Sequence, residues 1–212
     1  MTDLPDFHLA RQYALTRLEE QLSPLLIYHS INHTRDDVLP AAQRLARLEG
    51  LSPEEELLLY TAVLYHDIGF TVQVDNHEPI SAQIAAQMLP SFGYSPRQIR
   101  QIGEMILVTK LFTPPKTLSE AIMVDADLDV LGRKDFLRRN HDLRREANLL
   151  GRKSTDEQWL TQQIKFMNVH CYRTISAQSL RNAQKQRNLL ILTAQMEKLA
   201  AGEKNPLPLL HP

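Results

Sequence analysis

Leu57-Leu58-Leu59-Tyr60-Thr61-Ala62-Val63-Leu64-Tyr65-His66-Asp67 is the stretch that decides the fold. It is apolar nearly all round up to Tyr65, which a helix tolerates only at the centre of a bundle. Just upstream, Ser52-Pro53-Glu54-Glu55 supplies a helix start, with a capping serine, proline at the first helical position and glutamate three residues after the cap. Similar boxes stand at Ser95–Gln98, Thr117–Glu120 and Ser154–Glu157, each ahead of an apolar run. Apolar residues recur at spacings of three and four, and the seven glycines are widely separated. The pattern predicts an all-α helical bundle with almost no sheet. Its helices are expected at about 5–22, 30–48, 53–68, 79–91, 96–110, 118–131, 134–149, 155–171 and 174–200, five of them closed by Gly50, Gly93, Gly132, Gly151 and Gly202.

At 212 residues and 43% hydrophobic composition the chain can bury a real core, which excludes disorder for its bulk. Lys+Arg 24 against Asp+Glu 25 leave a net charge of -1, so no global attraction to nucleic acid or anionic membrane is available. No apolar run approaches the roughly 20 residues that span a bilayer. A single cysteine, Cys171, cannot form an internal disulfide, and its amphipathic surroundings predict a small buried side chain. The acidic N-terminal twenty residues lack the apolar core of a signal peptide. Together these observations predict a cytoplasmic protein with no nucleic-acid or membrane partner. The apolar stripe Leu180, Ala183, Leu190, Ile191 and Ala194 leaves monomer or homodimer open.

An ionisable His66-Asp67 pair at the end of the most buried helix requires compensation, and a divalent metal would supply it. Imidazole plus carboxylate, with no cysteine nearby, suits iron, manganese, nickel, cobalt or zinc, magnesium remaining open. His33 upstream and the Asp125-Ala126-Asp127 run downstream offer the remaining ligands.

These segments, Tyr28-His29-Ser30-Ile31-Asn32-His33-Thr34, Ala62-Val63-Leu64-Tyr65-His66-Asp67-Ile68-Gly69 and Val124-Asp125-Ala126-Asp127-Leu128-Asp129, resemble in order the motifs of the HD-domain metal-dependent phosphohydrolases. The resemblance spans roughly residues 25–135. Later segments, Asp127-Leu128-Asp129-Val130-Leu131-Gly132 and His170-Cys171-Tyr172-Arg173-Thr174, are similar to a less characterised bacterial branch. The resemblance implies an HD-domain core over 25–135; the helical pattern adds an N-terminal helix over 1–24 and helices over 136–204 expected to pack on that core, and three prolines without periodicity make 205–212 a flexible tail. The ligands the resemblance implies are His33, His66, Asp67 and one of Asp125 or Asp127, with His66 and Asp67 as catalytic residues. Four such donors leave room for a water and a substrate oxygen, and Asp67 would orient or deprotonate the water.

Around that set the sequence offers candidates for holding substrate. His29 is one turn before His33 on the same helix face, and His77-Glu78 open the helix after the motif. Asp75 or Asn76 is the alternative helix cap there. Among the cations, Lys110, Arg133 and Lys134 lie in or beside the segments nearest the motif. No glycine-rich phosphate loop and no paired CxxC exists, so a kinase, GTPase, Rossmann enzyme or zinc ribbon has no support. The function expected is hydrolysis of a phosphate ester of a small molecule, a nucleotide above all. A non-catalytic nucleotide sensor and a di-iron oxygenase of the same fold are the alternatives.

Overall fold

The computed structural model describes residues 5–202; the tail expected over 205–212 lies outside them. The fold is all-helical, 74% helix with no strand among the described residues. Two compact units divide between Leu128 and Asp129. That boundary falls seven residues before the expected end of the core at 135, and the first unit includes the N-terminal helix. No helix among the described residues is long and apolar enough to cross a membrane.

The first unit contains α1 (Phe7–Gln21), α2 (Leu39–Glu49), α3 (Pro53–Tyr65), α4 (His77–Met88), α5 (Pro96–Leu107) and α6 (Leu118–Asp127). Helix α3 is its centre and packs on α1, α2, α4, α5 and α6. Leu59, Ala62, Val63, Leu64 and Tyr65 are wholly buried, as the all-round apolar run predicts. Each such Leu or Val contributes about 1.5–3 kcal/mol by leaving water. Polar atoms in this core are paired: Tyr65 donates to the Ala10 carbonyl on α1, and the Thr61 and Tyr94 hydroxyls lie 2.8 Å apart. The Ser52–Glu55 and Ser95–Gln98 capping boxes form as expected. Thr117 also caps α6, but the Glu120 carboxylate accepts from the Lys116 N–H, so that box is one-sided.

Several helices end short of the expected outlines, and two of the departures lie beside the His66-Asp67 pair or His33. The helix expected at 30–48 is wound as a π-helix over His33–Val38 before continuing as α2. Pro40 explains the change: it lacks the N–H that an α-helix would use at that level, and the wider winding sends the Leu39 N–H to the Thr34 carbonyl instead. The helix expected at 53–68 ends at Tyr65, and the chain tightens into a 3-10 turn over Ile68–Thr71. Gly69 in that turn lies so close to the His77 carbonyl that a Cβ would collide with it, and its N–H donates to the Ser81 hydroxyl over 2.8 Å.

The second unit contains α7 (Phe136–Leu149), α8 (Asp156–Val169) and the long α9 (Ile175–Ala200), with α9 packed on α8 and on a 3-10 turn at Asp129–Gly132. Asp129 forms a bidentate ion pair with Arg181 of α9 at 2.7 and 2.9 Å, and the Asn188 amide donates to the Leu131 and Arg133 carbonyls. Gly132 is not a left-handed helix stop as expected; it is small because α9 approaches it at Arg181. Gly50, Gly93, Gly151 and Gly202 do adopt positive φ. The cap of α8 is also shifted by one residue: Thr155 with Gln158 forms the box, not Ser154 with Glu157. Both registers fit the motif, and the later one is adopted, with Trp159 and Leu160 buried in the helix it opens. Cys171, expected inside a helix and buried, is exposed in the link between α8 and α9, because α8 stops at Val169.

Candidate metal centre

Three chain segments of the first unit converge on one point. The π-turn presents His33, the end of α3 presents His66 and Asp67, and the last residue of α6 presents Asp127. His33, His66 and Asp127 each offer a ligand atom within 4.8 Å of the others, a grouping able to hold a metal ion. His33 Nε2 is 3.2 Å from Asp127 Oδ1 and 3.7 Å from Asp67 Oδ2. His66 Nε2 is 3.2 Å from Asp67 Oδ2 and 3.5 Å from Asp127 Oδ1. Donors held at about 2.1 Å from one ion stand roughly 3–3.5 Å from each other, so these separations suit a single shared cation.

Local backbone chemistry aims these atoms. The His66 Nδ1–H donates to the Val63 carbonyl one turn back at 2.7 Å, which fixes the ring and turns Nε2 towards the carboxylates. Asp67 occupies the sparsely populated bridge region, φ -101 and ψ 2, where the chain leaves α3. His66 Nε2 and Asp67 Oδ2 are both buried and have no hydrogen-bond partner. A nitrogen facing two carboxylates needs a positive charge there, a proton or a metal ion in its place, and two neutral imidazoles with two carboxylates balance a divalent ion. Donor chemistry and orphaned atoms therefore both fit a metal.

The same electrostatics appear in the proton equilibria. Burial alone would lower the His66 pKa, but the Asp67 and Asp127 carboxylates hold it well above its ordinary value. Burial alone would raise Asp67, yet His66, His77 and His29 keep it well below the usual carboxylate range. Asp127 is likewise held down against burial by His33 and His66.

Of the two aspartates offered for the last ligand, Asp127 joins the cluster. Asp125 is completely buried and is not part of it. Two residues apart on a helix, the side chains point about 200° apart, so only one can face His33 and His66. His77 lies beside the cluster, its Nε2 3.3 Å from Asp67 Oδ1 and its Nδ1 3.8 Å from Glu78 Oε2. His29 approaches from the other side, its ring 5.8 Å from that of His33. Asn76 precedes α4 but its side chain makes no cap bond, and accepts instead from Lys110 Nζ at 3.4 Å. Arg133 and Lys134 belong to the second unit, where Arg133 is engaged by Asp135 and Lys134 is exposed.

Phe70 was not legible as a site residue. Its ring lies between those of His77, stacked at 3.8 Å, and His29, tilted at 4.8 Å, and so orients both imidazoles. In sequence it is one apolar residue among many after the His-Asp pair, and only its place in the turn gives it this role. Comparison of the chain with protein-family models, with curated proteins and with solved structures gives no match.

Proposed function

We propose that the chain is a metal-dependent phosphohydrolase that cleaves a phosphate ester of a small molecule, a nucleotide being the substrate class expected. The observation that carries the reading is the pair of orphaned buried atoms, His66 Nε2 and Asp67 Oδ2, facing His33 and Asp127. When bound there, a divalent ion lowers the pKa of a coordinated water and offsets charge on phosphorus. His33, His66 and Asp127 would hold the ion, while Asp67 has one oxygen beside His66 and the other beside His77. His77 thereby fixes the Asp67 carboxylate in the orientation needed to accept a proton from an attacking water. Lys110, already reaching the rim of the site at Asn76, provides a cation for a phosphoryl oxygen.

Elemental analysis of the purified protein beside its His66→Ala, Asp67→Ala double variant tests the reading, followed by a phosphatase screen with the metal found. One transition metal per chain, absent from the variant and required for turnover, is expected. Absence of metal from both, or no turnover above the variant on any phosphomonoester, phosphodiester or nucleotide, overturns it. Tight nucleotide binding without turnover would point to a sensor. One observation favours a second reading, an oxygenase with two irons: His77, 3.3 Å from the outer oxygen of Asp67, would be a further donor available to a second ion. Two irons per chain with oxygen consumption would establish it.

A further inference from the structure

Asn76 stands immediately before α4 with φ 53 and ψ 46, a left-handed backbone. Asparagine tolerates that conformation, but it cannot cap a helix from it, because a capping residue needs an extended backbone to turn its side chain onto the first helical N–H groups. The carboxamide is thereby released from capping, and Asn76 Oδ1 accepts instead from Lys110 Nζ, 34 residues further along the chain, at 3.4 Å. The peptide that carries Asn76 into α4 is itself held. The His77 carbonyl packs on Gly69 with no room for a Cβ between them, and the His77 ring stacks on Phe70 at 3.8 Å with its Nε2 3.3 Å from Asp67 Oδ1. One hydrogen bond and one peptide bond therefore connect the Lys110 ammonium to a residue fixed at the candidate metal centre.

The neutrality of the partner decides what this contact can do. Elsewhere in the first unit Arg35 is ion-paired with Asp36 at 2.8 Å, so its charge is cancelled where it stands. Lys110 has no such carboxylate partner among the described residues; the amide oxygen holds the ammonium in place and leaves its charge available. Lysine gives up much rotamer freedom when an anion fixes it, and a tether to a rigid backbone removes part of that loss before the anion arrives. We infer that Asn76 is a positioning residue for the substrate: it holds the Lys110 ammonium at the rim of the metal centre, with its charge uncancelled, to receive an anionic oxygen of the phosphate group. The inference rests on the phosphohydrolase reading and deepens it, since the metal cluster would act on phosphorus while the Asn76–Lys110 pair sets how the phosphate group is held.

The test is a double-mutant cycle on the manganese-loaded full chain, read as the Kd of inorganic phosphate by calorimetry and as KM and kcat for 4-nitrophenyl phosphate. Lys110→Ala should weaken phosphate about tenfold, the size expected for one charge-assisted hydrogen bond. Asn76→Gly accepts the left-handed backbone and removes only the amide; it should weaken phosphate about fourfold, with the loss falling on KM rather than on kcat. Adding Asn76→Gly to Lys110→Ala should cause no further loss, because Asn76 acts through Lys110. Asn76→Asp keeps an acceptor but cancels the charge, so it should weaken phosphate at least as much as Asn76→Gly, whereas a merely structural role predicts no loss. Manganese content and thermal midpoint of both Asn76 variants should match the parent, which separates recognition from misfolding. An Asn76→Gly loss that persists in full beside Lys110→Ala, or Asn76 variants that bind phosphate as the parent does, overturns the inference and leaves the hydrolase reading intact. Failure of the manganese-loaded parent to bind phosphate and to turn over any phosphate ester overturns both.

Discussion

Gly69 offers the sharpest test of how the centre is built. A Cβ placed there would collide with the backbone carbonyl of His77 and come within 2.8 Å of the Ser81 hydroxyl. The carbonyl belongs to the first residue of α4 and cannot swing aside as a side chain can, so Gly69→Ala must push α4 away from the 3-10 turn. Overpacking of this kind costs about 1–3 kcal/mol. If Ser81 then loses the Gly69 N–H, the broken buried hydrogen bond adds about 1 kcal/mol. The same displacement moves His77 from Asp67 and loosens the stack on Phe70. Gly103 is the control: it lies in the interior of α5, where an added Cβ would meet nothing within 4 Å, so Gly103→Ala should stabilise by about 1 kcal/mol. Urea denaturation followed by far-UV circular dichroism, with and without added manganese, measures both changes. A Gly69→Ala protein as stable as the parent, with an unchanged metal content, would refute the close approach of turn and helix.

Other consequences can be checked independently. Asp127→Asn should weaken metal binding by at least tenfold in equilibrium dialysis, whereas Asp125→Asn should leave the bound metal in place, because only Asp127 faces His33 and His66. Thr155→Ala should cost about 1 kcal/mol in denaturant unfolding and Ser154→Ala less than half that, since the α8 box is closed by Thr155. Burial, with Lys185 and Arg173 nearby, pushes the His170 pKa down to about 4. The ring is then neutral when folded but takes up a proton below about 6.5 when unfolded, so stability should fall as the pH drops from about 6.5 towards 4. Allowing for the part of the ring that solvent reaches, the loss is about 1–2 kcal/mol, and His170→Asn should flatten it in thermal melts at pH 7 and pH 4.5.

Much of this was legible because it depends on local patterns. The all-round apolar run at 57–65, the serine and threonine caps and the His66-Asp67 pair each carry their own physical signature, and the helical class follows from the first two. His33 was legible by position, but not the π-winding that aims it, although Pro40 inside the helical run was a signal for it. The choice between Asp125 and Asp127 was not legible because both sit on one short helix, and only packing decides which face of α6 meets α2 and α3. The end of α8 was misplaced for a similar reason: nothing in Val169-His170-Cys171 breaks a helix, and the break follows from Lys185 on α9 binding the His170 carbonyl. Asp129 reads in sequence as a third member of an acidic run, and only the fold brings it to its partner Arg181, fifty-two residues away.

Trp159 and Cys171 are the only tryptophan and the only thiol in the chain, and both lie in the second unit, the first buried on α8 and the second exposed just after it. Indole emission and a maleimide dye therefore report on that unit by intrinsic placement, while the candidate metal site lies in the unit that carries neither probe. Melting followed by emission and by circular dichroism, with and without metal, would show whether the two units unfold together. A metal-induced rise seen by dichroism but not by emission would mean that they melt separately.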